Sequence, residues 1–223
     1  SGAELDRIRG DAATRTRTDA RTLTEILAAL ADPDAEVAAA SLRAVREMPG
    51  PLSSDLLRTR LEQLAPGDQV LLLAALSRRR DSAGRSAAVA AARSGDGEVR
   101  LAGLRALGRL GDDSTILFLA RASASLTGES RDAARKSLDA LRGETVDEAM
   151  AALVTPATFA GVRAEVIRSL AARGAGSGAS AIEAMTKDAD RAVRLAAAKA
   201  LGLLARERSR ATLISLIRRE SDD

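Results

Sequence analysis

The sequence predicts an all-α chain: a right-handed α-solenoid of about six helical hairpins, with partial repeats at both ends. Three observations carry this. The 223 residues are 46% hydrophobic, yet that fraction is mostly Ala and Leu, both strong helix formers, and only 1% of the chain is aromatic. The apolar residues recur at helical spacing. The whole pattern returns about every 31 residues, a period that belongs to arrays of helical hairpins.

The repeat is clearest between Gly97–Leu110 and Arg191–Leu204. Further copies run from Asp34 to Val45, from Val162 through Ile167 and Leu170, and, more weakly, from Ala133 through Leu138 and Leu141. Another falls around Asp68 to Leu76, with its register open by a residue or two. With anchors at Val37, about Asp68, Val99, Ala133, Val162 and Val193, three columns emerge. Position +5 reads Leu42, Leu104, Leu138, Ile167 and Ala198; position +8 reads Val45, Leu107, Leu141, Leu170 and Leu201. Position +7 is small each time: Ala44, Ala106, Ala140, Ser169 and Ala200. Positions 0, +4, +7, +8 and +11 share one helical stripe, so they predict the buried face of the second helix of each hairpin.

The first helices carry shorter stripes of their own. These are Leu23–Leu30, Leu56–Leu64, Ile116–Leu119, Val146–Leu153 and Ile182–Met185, with another at Leu213–Ile217. All five prolines fall between helices or in a first turn, where a missing N–H costs nothing. Asp32, Asp34, Asp96 and Asp190 precede second helices and predict N-caps. Gly174–Ser180 reads as the most flexible joint between repeats. Leu5–Gly10 matches Leu138–Gly143, the tail of a second helix, so residues 1–20 read as a partial repeat or an N-terminal extension and 21–223 as the array.

The run Asp190, Val193-Arg194, Ala197 and Ala200-Leu201-Gly202 resembles the HEAT repeat, an armadillo-like unit, in the compact form common in bacterial proteins and also found in bilin lyases. The resemblance covers roughly residues 21–219. It implies that the second helices line a concave face. It also implies that the arginine after the anchor (Arg100, Arg163, Arg194) bonds to turn carboxylates of nearby repeats. Repeat two, out of register, and repeat four, with Ala133-Ala134 in place of Val-Arg, are expected to be distorted.

Composition removes most chemistry. There is no Cys, so no thiolate or disulfide, and no His, so no imidazole base, no Ser–His–Asp triad and no His-ligated metal. That also excludes the HEAT-type hydroxylases with His-Glu ligands. Two Phe as the only aromatics, with no Trp or Tyr, are too few for a base-stacking platform. This departs from the aromatic-dependent sites of the HEAT-like DNA glycosylases and the tubulin-binding TOG domains. The carboxylate pairs Asp32/Asp34 and Asp188/Asp190 are explained by helix capping rather than by a divalent cation. No catalytic, cofactor or metal residue is predicted, and the longest apolar run, Val70–Leu76, is far short of a membrane span.

Charge is the one patterned surface feature. The second helices hold 19 basic and 11 acidic residues, the first helices 7 and 10. Position +6 shows it best, with Arg43, Arg105, Arg168 and Lys199 in one row broken by Asp139. Arg109 lies one turn beyond Arg105, and Arg78 opens the densest positive spot, Arg78-Arg79-Arg80. Two readings fit: long cationic side chains covering an Ala-rich surface, or a binding row. The functional expectation is a non-enzymatic interaction scaffold, its basic face binding an acidic protein or peptide through Arg43, Arg78, Arg105, Arg109, Arg168 and Lys199. The alternative is a nucleic-acid-binding module.

Overall fold

A computed structural model of the chain describes residues 20–49 and 52–204. These contain twelve α-helices and no strand: α1 (20–28), α2 (Ala35–Glu47), α3 (Ser54–Gln63), α4 (Pro66–Arg79), α5 (Gly84–Ala91), α6 (Gly97–Leu110), α7 (Ile116–Ser125), α8 (Gly128–Ala140), α9 (Val146–Ala152), α10 (Ala160–Ala172), α11 (Ala179–Ala184) and α12 (Arg191–Leu203). Consecutive pairs form six helical hairpins, so the fold is all-α and of the solenoid kind. The sequence features assigned to residues 1–19 and to Leu213–Ile217 lie outside the described residues.

Local chemistry sets the helix ends. Pro66 sits in the first turn of α4, and the side chains of Asp34, Ser53, Asp96 and Asp190 accept from the first free N–H groups of α2, α3, α6 and α12. Asp112 does the same for the single 3-10 turn before α7. Arg80 closes α4 in the left-handed region at φ 58°, a position usually given to Gly. Gly174, at φ 64°, closes α10. The Gly/Ser joint that follows is an ordered 3-10 turn, Gly176–Gly178, with Ala175 and Gly178 buried.

The chain divides into two compact units, residues 1–106 and 107–223, with the boundary inside α6. In the first unit α3 packs along α5, α2 along α4, and α4 against α5. In the second, α10 is the centre, packed against α7, α8, α9 and α12.

The +8 column is buried throughout at Val45, Leu107, Leu141, Leu170 and Leu201, and Leu76 completes it for repeat two, fixing that register at Asp68. Leu72, Leu73 and Ala75 follow as that repeat's core positions. Repeat four is a regular helix, with Ala133 and Ala134 buried.

Four columns need correction. Position +11 is buried only at Leu110, and Arg79, Glu144 and Arg173 stand there in other repeats. Val37 is 39% exposed, and Ser41 and Val45 bury the α2 stripe instead. Leu42 is only half-buried, because it faces a groove described below. Ala140 is exposed: α8 ends there and Leu141 turns extended, at ψ 140°, so position +7 no longer faces a neighbouring helix.

Candidate interaction groove

Four positions on α2 (Ala39, Leu42, Arg43 and Arg46) follow the i, i+3, i+4, i+7 spacing of a single stripe. Leu71, Ala74, Ala75 and Arg78 do the same on α4. Because α2 and α4 lie side by side, the two stripes face each other across a groove of about 300 Å³ lined by these eight residues. Its floor is apolar. Leu71, which a buried stripe would hide, is 50% exposed there. The rim is three guanidinium groups, and no carboxylate lines it. Arg43 and Arg78 are exposed and Arg46 half-buried, and none of the three has an ion-pair partner among the described residues.

The second helices of the second unit are different. Arg168 of α10 donates two hydrogen bonds to Asp139 of α8, at 2.7 and 2.9 Å, and a third to Glu165 at 3.2 Å. Arg135 of α8 donates to both carboxylate oxygens of Glu165, from Nε at 2.8 Å. Two cations and two anions thus cancel within the chain. Burial works against the charge on Arg168, but the hydrogen bonds and charges of Asp139 and Glu165 outweigh it and raise its pKa. The Glu165 hydrogen bond likewise raises that of Arg135 against burial. Arg168 is therefore not a free member of the +6 row. The Asp139 that breaks the row in sequence is its partner in space.

Arg105, Arg109 and Lys199 are exposed, with no ion-pair partner among the described residues. Nothing places them in the groove. The arginines after the anchor are structural. Arg100 donates to the Ser94 and Gly95 carbonyls, and Arg194 to those of Asp188 and Ala189. Arg163 donates to the carbonyls of Pro156 and Thr158 and pairs at 2.9 Å with Asp188 in the next hairpin's turn, both side chains less than a tenth exposed.

Two further arginines were not singled out by the sequence. Arg79, inside the positive cluster, donates to the C-terminal carbonyls of α2 at Val45, Arg46 and Met48 and pairs with Asp81. Arg173 donates to the carbonyls of Asp139 and Leu141 at the end of α8 and to Asp147. Both sit at position +11 and reach back one repeat to the negative end of the previous second helix, satisfying carbonyls that have no intrahelical partner. Arg46 and Leu71 of the groove were also missed; the stripe spacing could have found them once the register of repeat two was known.

No cluster of His, Cys, Asp or Glu able to hold a metal occurs among the described residues, and no described helix is long and apolar enough to cross a membrane. A family model for HEAT repeats matches residues 146–223. No curated protein matches the chain. Among solved structures, the chain is similar to human deoxyhypusine hydroxylase in complex with glycerol, at 15% identity and a TM-score of 0.42, over 86% of this chain and 99% of that one. A likeness at that level carries no argument about function.

Proposed function

We propose that this chain, with HEAT repeats over residues 146–223, is a non-enzymatic interaction scaffold that binds an acidic protein or peptide through its second helices. HEAT repeats are commonly protein-interaction scaffolds, and stacked hairpins offer extended binding surfaces. The observation that carries the reading is that the second-helix cations Arg43, Arg46, Arg78, Arg105, Arg109 and Lys199 are exposed or half-buried and are among those without an ion-pair partner among the described residues. The pairing of Arg168 weakens the nucleic-acid alternative, because it removes one member of the phosphate row. The chain supplies no Trp or Tyr for stacking either.

The test is a salt titration of binding to poly-L-glutamate and to duplex DNA. Phosphate contacts by Arg43, Arg105 and Lys199 would give a slope of about −2.7 in log affinity against log salt. The scaffold reading expects poly-L-glutamate to bind and DNA binding to vanish near physiological salt. DNA binding that persists with that slope, and none to poly-L-glutamate, reverses the assignment.

A further inference from the structure

We infer that the groove between α2 and α4 is the anchor point for this partner, and that it takes one or two neighbouring apolar side chains of a segment whose flanking residues are Asp or Glu. The inference rests on the scaffold reading and adds where the partner docks and what it must carry.

The groove's size sets the first requirement. Ligand pockets run from about 300 to 1,000 Å³. At about 300 Å³ this one suits a side chain or two rather than a cofactor. Its floor of Ala39, Leu42, Leu71, Ala74 and Ala75 has no hydrogen-bonding side chain, so what enters must be apolar. The half-exposed Leu71 gains from being covered, as any apolar surface does.

Charge sets the second requirement. Arg43 and Arg46 stand one turn apart on α2, and Arg78 faces them from α4. Guanidinium groups bind carboxylates through paired N–H donors, and such charge-assisted bonds give specificity as well as attraction. The chain shows what that pairing looks like on its own second-helix face, where Glu165 and Asp139 engage Arg135 and Arg168 with paired hydrogen bonds. In the groove the cations are present and the carboxylates are missing. A partner supplies them.

Apolar floor and cationic rim together distinguish a peptide from a nucleic acid. A phosphate backbone would satisfy the arginines but leave Leu42 and Leu71 wet. An acidic segment with an apolar centre satisfies both.

The experiment uses the full chain and fluorescence anisotropy with a labelled ten-residue peptide of Asp and Glu around a central Leu-Phe pair. Two other probes are the same peptide with Ser-Ser at its centre and a 20-base-pair DNA duplex. The protein variants are Arg46→Glu with Arg78→Glu, the milder Arg46→Gln with Arg78→Gln, Leu71→Asp, and Arg121→Glu, on the exposed side of first helix α7, as a control away from the second helices. All these side chains are at least half-exposed or line the groove, and far-UV circular dichroism verifies folding.

The expected result is binding of the Leu-Phe peptide and a loss of about tenfold or more for the Ser-Ser peptide, the double Arg variants and Leu71→Asp, with Arg121→Glu changing affinity by less than about threefold. If the peptide binds but the groove variants bind it equally well, the groove assignment is overturned and the scaffold reading stands. Equal affinity for the Leu-Phe and Ser-Ser peptides overturns the apolar requirement. Tight DNA binding with no peptide binding overturns both readings together.

Discussion

Gly103 and Gly202 lie in second helices, α6 and α12, Gly103 at position +4 of the predicted buried stripe and Gly202 at +9, off it. A glycine inside a helix costs about 1 kcal/mol relative to Ala. Position +4 is Gly103 in one repeat and Ala197 in another, so sequence comparison within the chain recommends Gly103→Ala as stabilising. The structure gives the opposite sign. A Cβ on Gly103 would lie 2.4 Å from the backbone N of Ala92, 2.8 Å from the Ala88 oxygen and 2.8 Å from the Ala91 carbon. These are backbone atoms of α5 and its end, so no rotamer change relieves the overlap. The two helices must separate, and overlaps this short with backbone atoms place the cost in the upper part of the overpacking range, about 2–3 kcal/mol, which exceeds the roughly 1 kcal/mol of propensity gained. Gly103→Ala is expected to lose about 1–2 kcal/mol net. A Cβ on Gly202 would meet nothing within 4 Å, so Gly202→Ala is expected to gain up to about 1 kcal/mol. Urea unfolding followed by far-UV circular dichroism measures both in one experiment. A Gly103→Ala protein as stable as the parent would mean that α5 and α6 do not approach by backbone contact.

Leu107, fully buried, is expected to cost about 2–5 kcal/mol on truncation to Ala, read as a lowered unfolding midpoint. Ala106→Leu is expected to lose about 1–3 kcal/mol, since Ala106 is buried, while Ala140→Leu, at the same column position but exposed, stays within about 0.5 kcal/mol of the parent. Asp188→Ala strands the buried Arg163 guanidinium and is expected to cost about 3–5 kcal/mol, against little change for an exposed Arg21→Ala. Asp81 gives a pH test. Burial pushes its pKa up, but N–H groups of Ala83 and Leu52 and the Arg79 guanidinium overcome this and hold it below 3.8. The unfolded carboxyl therefore takes up its proton first. Its stabilisation is present in full above the unfolded value and is lost as pH falls through the folded one. Between pH 5 and 2 the parent should lose more stability than Asp81→Asn; parallel curves would show that the carboxylate is not engaged.

The fold was legible because two periods agree: 3.6 residues within a helix and about 31 between hairpins. Only where they coincide is burial fixed, and the +8 column, from Val45 to Leu201, is that place. Positions near helix ends depend on where the helix stops, which is why Ala140 escaped burial once α8 ended. The charged face was read as a row because like positions stack. The same reasoning, applied to Asp139 and Arg168 at one position in adjacent repeats, names them as neighbours and hence as a pair. Arg79 and Arg173 were hidden for a different reason. They occupy a position of the apolar stripe, and their partners are backbone carbonyls, which leave no mark in a sequence.

Those two arginines also bear on how the protein is made. Arg79 caps helix α2 from 31 to 34 residues downstream, and Arg173 caps α8 from 32 to 34. At a synthesis rate of about 5–20 residues per second, these two helices wait roughly 2–7 s after their own last residue before the side chain that closes the end has been added. During that interval their carbonyls face water and the last turn can fray. At these two places a newly finished repeat completes the one before it, and the end of the earlier helix acquires its final stability one repeat behind the ribosome.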